Sequence, residues 1–311
     1  ESTAATMFEN GELDQYQPTG DYAIKFEKEA EEGKYQYMVT DYPGTIGLRF
    51  NFINGGTSGL MSNVKIRKAI SYSIDREEMI DAVYGRYNPA YSYVAPAITF
   101  NGSSYRSQVG EVIEDEYNEY VGDPDKIVAL FQEGLDELGV ETPIEDITLT
   151  YLTSGSTTEV QAEREYIQQS LEETLGLTVE LSVAGDTSLF IADRNEGNYD
   201  FFLGGWYSDY NDPLDFLYTN YTDAYGMSFG GYSNTDYDAL ADQLVGETDM
   251  DKRLDIYKQM EQILLLDDCA FAPIYYATKQ VLLQNWVKDY RTSSFGASAE
   301  FIWTYIDGKN Q

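Results

Sequence analysis

Three short stretches predict an α/β fold with a mixed, largely parallel sheet flanked by helices. "ITLTYL" (147–152), "LTVELSV" (177–183) and "YDFFLGGW" (199–206) each read as a strand of apolar and β-branched residues. The intervals between them carry helical patterns: 158–175 places Val160, Ile167, Leu171 and Leu175 on one face, and 187–195 makes a shorter helix. Strand–helix–strand at this spacing makes βαβ units, whose ligands gather beyond the carboxyl ends of the strands.

The remaining elements follow in order. Residues 62–85 hold two helical pieces in series, the first with Ile66, Ala69, Ile70 and Ile74 on one stripe. Asp75 restarts the helix as an N-cap with Glu78 three residues on, and Gly85 closes it. A loop rich in Tyr, Pro and Gly spans 86–122. The helix over 124–138 begins with Asp123 as cap and Pro124 at its first position, and Gly139 ends it. Helices are expected near 235–245 and 250–266, and "FAPIYYATKQVLL" (271–283) reads as a long strand. The sequence has no internal repeat and no low-complexity tract.

The chain has 311 residues, enough for two lobes or one large one. Fifty-four acidic against twenty basic residues give a net charge of −34, a field that repels nucleic-acid phosphates and anionic lipid surfaces. Neither nucleic-acid binding nor direct membrane insertion is expected, and no apolar run reaches the ~20 residues of a membrane helix. The sequence contains no histidine, which removes Ser-His-Asp and Cys-His catalysis and His-ligated metal or haem. Its one cysteine, Cys269, has no activating base and reads as packing. The chain opens "ESTAATMFENGELDQY", with neither an initiator Met nor a basic n-region, and is expected to be a piece of a longer protein.

"GGWYSDYNDPLDFL" (204–217) is the stretch that asks for a function. A large ring and the carboxylate of Asp209 follow an apolar strand, as a pocket for a cationic group requires; a solvated turn is the alternative. "DYNDPLD" (209–215) partly matches a calcium loop, but Leu214 stands where a glycine is needed and Asn220 where the bidentate glutamate belongs. "INGGTSG" (53–59) has neither GxGxxG nor a following GK[ST], so it does not cradle phosphate. Paired carboxylates of a glycosidase are a chance occurrence in so acidic a chain. Twenty-eight tyrosines suit an adaptable binding surface.

Several motifs together resemble the extracellular solute-binding proteins of peptide ABC transporters. "NVKIRKAISYSIDREEMIDAVYG" is similar to their VRxAxxxxIDRxxI helix, and "GGWYSDYNDPLDFL" to their Trp–x–x–Asp–Tyr loop. "YSNTDYDALADQL" and "KRLDIYKQMEQILLLDDCAFAPIYY" resemble their C-terminal region, and "MFENGELD" (7–14) a segment within their first domain. The resemblance covers essentially the whole chain and reads it as a C-terminal fragment that lacks the N-terminal part. It implies a periplasmic-binding-protein-like (type II) fold: a complete α/β lobe over 61–275, with 1–60 and 276–311 as parts of a second lobe.

The resemblance also implies a function: a non-enzymatic component of an importer that encloses an extended oligopeptide between two lobes. Its partner would be the membrane permease, and it would act as a monomer without a cofactor or metal. The location implied is extracellular or periplasmic, as a lipoprotein anchored through the missing N-terminus. Asp209 would receive the peptide α-ammonium. The main chain of Gly205 and Tyr207 would pair with the peptide as an added strand, and Trp206 would line a side-chain pocket or else be a core ring. Arg194, twelve residues before the Trp, would meet the peptide carboxylate. Leu203 stands where such members carry a second basic residue, which puts length-specific carboxylate capture in doubt. Asn51, in the strand-like "LRFNFIN" (48–54), would contact the peptide backbone. An oligosaccharide, an opine-like molecule or a signalling peptide are alternative ligands; a secreted hydrolase or a surface adhesin are alternatives of another class.

Overall fold

A computed structural model describes residues 2–222, 229–295 and 299–309. Seven strands make one mixed sheet: β1 (Gln15–Tyr16), β2 (Gln36–Phe50), β3 (Asn88–Pro89), β4 (Thr148–Ser154), β5 (Thr178–Ala184), β6 (Phe201–Tyr207) and β7 (Phe271–Leu283). Their order is β1-β7-β2-β6-β4-β5, with β3 also on β7. The predicted βαβ units form the parallel part. β4 pairs with β5 from Thr148–Thr178 to Ser154–Ala184, and with β6 at Tyr151–Phe201 and Leu152–Phe202. The other pairings in this sheet are antiparallel and centre on the two long strands β2 and β7.

The helical stripes bury as their spacing predicts, except that Val160, in the first turn of its helix, is only half-buried. Ile66, Ala69, Ile70 and Ile74 are fully buried, and meet Phe131, Ile167 and Leu171 over the β4 side chains Leu149 and Tyr151. Each of the Ile, Leu and Phe side chains contributes roughly 1.5–3 kcal/mol. The predicted caps are in place. Asp75 accepts from the Glu78 amide at 3.0 Å, Asp123 accepts from Lys126, and Gly85 and Gly139 take the left-handed conformation. Two arginines of the first helical region are buried ties within the fold. Arg76 lies over the Tyr117 ring at 4.2 Å and donates to the Pro273 carbonyl; Arg67 donates to the carbonyls of Met61, Asp268 and Cys269. Cys269 is buried and its thiol is pushed up to about 11 by that burial, so it is packing.

Two expectations change. The stretch 86–122 contains short helices at Tyr105–Val109 and Glu114–Tyr120, each anchored by a buried ring, Tyr105 and Tyr117. The strand expected over 48–54 is the tail of β2, and the chain leaves the sheet at Asn51. There the Asn51 amide donates to the Asp200 carbonyl, and a turn follows with Asn54, Gly55 and Gly56 at positive φ. That turn wraps Asp200, a wholly buried carboxylate that accepts from the amide and hydroxyl of Ser58 and the amide of Thr150. Burial raises its pKa. A Cβ at Gly56 would lie 2.5 Å from the Asp200 carboxylate, which accounts for that glycine.

Packing changes partway along β2 and β7. Ile46, Leu48 and Phe50 with Phe271–Tyr276 belong to the large cores. Tyr35, Val281, Leu282 and Leu283 belong to small clusters with Phe8, Phe26, Val287 and Tyr290. Between the two halves the register slips: Asp41 pairs with Thr278 but Thr45 pairs with Tyr276.

Candidate functional site: the loop after β6

β6 threads between β2 and β4, and its two edges are treated differently. Along β2 it pairs throughout, from Phe50–Phe201 to Gly44–Tyr207. Along β4 it pairs only at its first two residues. Among the described residues, no strand pairs with Leu203–Tyr207 on that second side. Gly205 is required by the closeness of β2, because a Cβ there would lie 1.9 Å from the Thr45 carbonyl oxygen.

Beyond β6 the loop is pinned at several points. The Ser208 amide donates to the Pro43 carbonyl at 2.7 Å. Asn211 accepts from the Thr99 amide at 2.8 Å, and its side-chain amide donates to the Thr99 hydroxyl. Asp212 caps the short helix Pro213–Leu217, accepting from the Leu214 amide and from the Tyr257 hydroxyl, both at 2.8 Å. The buried carboxylate of Asp215 organises the rest. One of its oxygens accepts from Trp206 Nε1 at 2.9 Å, Ser208 Oγ at 2.8 Å and the Asp209 amide at 2.8 Å.

The predicted residues fall in different places. Asp209 is exposed, with its main chain held by Asp215. Trp206 is half-buried: its indole N–H is held by Asp215 and its ring packs at the rim of a large core, between the two roles expected of it. Tyr207 is 47 % exposed, its ring lying against Gly44 and near Tyr42. Arg194 is on the helix Thr187–Glu196, near Tyr199 just before β6, whereas Asp209 follows the other end of that strand. Asn51 is the correction. It is fully buried, donates to the carbonyls of Gly197 and Tyr199 and accepts from the Ile53 amide, so its side chain has no face for a ligand. Its position in an apolar run signalled the neighbouring strand, while its partners come from a distant turn.

Asp215 was missed by sequence reasoning. The available signal was its place at the third position of a helix with an Asp-Pro start, where a carboxylate faces back toward the preceding loop.

Below Tyr207 lies a tyrosine cluster. Tyr87 stacks on Tyr275 at 4.5 Å, Tyr84 lies 4.9 Å from both, and the Tyr84 hydroxyl donates to Glu163. Burial raises Glu163 to about 7; the Tyr84 hydrogen bond opposes this and the Glu159 charge adds to it. The folded chain thus keeps a proton that the unfolded chain releases. This stabilisation is full below about pH 4.5 and is lost as pH rises to about 7, a change on the order of 3 kcal/mol. Urea denaturation at pH 5 and pH 8 should reveal that loss in the wild type, and Glu163→Gln should remove this part of it. Identical pH dependence in the two proteins would refute the assignment.

Comparison with known proteins adds the family. Residues 1–228 match the bacterial extracellular solute-binding proteins, family 5 (middle part). The chain belongs to that family. This solute-binding protein is 29 % identical over 286 residues to the dipeptide-binding protein DppE of Bacillus subtilis, covering 91 % of the chain and 48 % of the relative. It is 30 % identical over 234 residues to the oligopeptide-binding protein OppA of the same organism, covering 74 % and 39 %. Among solved structures, Listeria monocytogenes OppA bound to peptide superposes with a TM-score of 0.77 at 28 % identity, covering 99 % of this chain and 56 % of that one. The chain spans about half the length of the curated relatives it matches.

Proposed function

We propose that this solute-binding protein is the substrate-binding component of a peptide importer and holds an extended oligopeptide along the open edge of β6. The observation that carries the reading is that edge, Leu203–Tyr207, which ends in a loop presenting the exposed Asp209. An extended peptide added there gains main-chain hydrogen bonds without its sequence being read. Gly205 and Tyr207 supply that main chain, and Trp206 borders the path. Asp209 takes the α-ammonium, a charge-assisted hydrogen bond that strengthens as water leaves a closing cleft. Arg194, on the helix that precedes β6, is the candidate for the other terminus, a carboxylate that a guanidinium suits.

Support also comes from relatives named as dipeptide- and oligopeptide-binding proteins. The reading places the protein outside the cell as a non-enzymatic monomer, tethered as a lipoprotein and delivering its ligand to a membrane permease. The change of packing along β2 and β7 supports a lobe division near Asp41–Thr45 and Tyr276–Thr278, within β2 rather than after residue 60. A thermal-shift screen of the full-length protein against di- to octapeptides and oligosaccharides tests the ligand class. Stabilisation by peptides is expected, and a response to oligosaccharides alone would transfer the reading to that class.

A further inference from the structure

The short helix Pro213–Leu217 is firmly seated in the protein. Phe216 and Leu217 are fully buried in a large core, where the Phe216 ring meets Tyr93 edge-on at 5.3 Å and the Leu217 carbonyl accepts from the Tyr237 hydroxyl at 2.6 Å. Asp215 stands at the third position of this helix. A carboxylate there ordinarily turns back to the amide of the residue that caps its own helix. Here that amide, of Asp212, donates to the Tyr210 carbonyl at 3.0 Å, and Asp215 reaches past it to the loop.

The Asp215 side chain is buried, and a single oxygen, Oδ2, faces Trp206 Nε1, the Ser208 hydroxyl and the Asp209 amide. The hydroxyl has a second acceptor in the Tyr210 carbonyl at 2.7 Å, so the indole and the amide are the firmer ties. Three donors on one oxygen favour a full negative charge, because charge-assisted hydrogen bonds are about twice as strong as neutral ones. An asparagine oxygen would be a weaker acceptor, and its NH2 group would repel the same donors.

The consequence is geometric. The main chain of Asp209 and the Trp206 indole lie within two hydrogen-bond lengths of each other, both tied to a helix whose other side chains are core. After the Ser208 amide has bonded to Pro43, the tie to Asp215 fixes the course of the chain at Asp209. An untied loop would lose conformational freedom on closing over an ammonium group, and that loss subtracts from affinity. A main chain already fixed avoids it.

We propose that Asp215 is the positioning residue of the ammonium site: it holds the main chain of Asp209 in register with Trp206, so that the Asp209 carboxylate meets the ligand without reordering of the loop. The inference rests on the peptide reading above.

Calorimetry on the full-length protein decides the matter, with pentaalanine carrying a free or an acetylated amino terminus as probes. Wild type should prefer the free peptide. Asp215→Ala should weaken the free peptide by about tenfold or more and the acetylated one by less than about threefold, because Trp206 keeps its packing at the core rim. Asp215→Asn keeps an oxygen and the side-chain volume; it should retain part of the preference, and it carries the test if the alanine variant folds poorly. In an Asp209→Asn background, Asp215→Ala should cost less than about threefold with either peptide, since a positioning residue acts only through the group it positions. Equal weakening of both peptides would overturn the proposal and make Asp215 a buttress of the fold. A full cost in the Asp209→Asn background would overturn it as well, as would a free-peptide preference unchanged in both Asp215 variants; either result leaves the peptide reading standing. Binding of both peptides by wild type with equal affinity would overturn the role of Asp209 and that of Asp215 with it, and absence of binding by either would overturn the peptide reading itself.

Discussion

Alanine in place of Glu261 is expected to lower stability by ~3–5 kcal/mol, the range for removing one partner from a buried ion pair. Glu261 is fully buried in the helix Met250–Gln262, paired with Arg106, and accepts from the amides of Tyr93 and Val94 and from the Tyr105 hydroxyl. Its removal would leave the buried Arg106 charge without its carboxylate, holding only the Gly110 carbonyl, and two amides unsatisfied at once. The same helix reaches the loop after β6 one turn earlier, where the Tyr257 hydroxyl donates to Asp212. The segment it holds extends to Arg49 of β2, which donates to the Tyr93 hydroxyl at 2.6 Å and to Asn220 at 2.6 Å. Urea denaturation of wild type, Glu261→Ala and Glu261→Gln provides the measurement. Gln keeps an acceptor for the amides and should lose less than Ala. A cost below about 1 kcal/mol for Ala would mean that Arg106 and the amides find other partners, and the network would not be the support described here.

How far the sequence could be read depended on how local the controlling interactions are. The βαβ block was legible because Ile167, Leu171 and Leu175 repeat at helical spacing between two apolar runs, and burial depends on that spacing alone. Asp75, Asp123, Gly85 and Gly139 were legible for the same reason, since a cap is decided within one turn. The first half of β2 was not. "QYMVTDYPG" mixes polar and apolar residues without alternation and contains a proline and a glycine, because the strand passes from one core to another through a register slip.

The site divides in the same manner. Trp206, Tyr207 and Asp209 were legible as a group because a ring and a carboxylate after an apolar strand form a local pattern. Asp215 and Asn51 were not, for opposite versions of one reason. Asp215 stood in the quoted loop as one acid among several, and only folding turns three donors onto its oxygen. Asn51 looked available because nothing nearby in sequence claims its amide, and only folding supplies the carbonyls of Gly197 and Tyr199.

Asn in place of Asp209 is expected to weaken binding of peptides with a free amino terminus by ~2–5 kcal/mol, or roughly 30- to several-thousand-fold, as for other desolvated charge pairs that lose one partner. The substitution keeps the shape and removes the charge. Its amide N–H to Asp215 is main-chain and survives, so the loop should keep its conformation. Asp209 is exposed in the structure. If it stayed so in the complex, the change would cost at most about 1 kcal/mol, the scale of surface charge interactions. The two ranges are far enough apart for calorimetry to separate. The chemical control is N-acetylation, which removes the α-ammonium from the ligand rather than the carboxylate from the protein. Four affinities in the full-length protein complete the comparison: free and acetylated peptide, each against wild type and Asp209→Asn. Acetylated peptide should bind wild type poorly and be indifferent to the substitution, because both changes delete the same ion pair. If the two changes weaken binding additively, or if neither matters, the α-ammonium is held elsewhere and the acids of this loop are a solvated turn buttressed by Asp215.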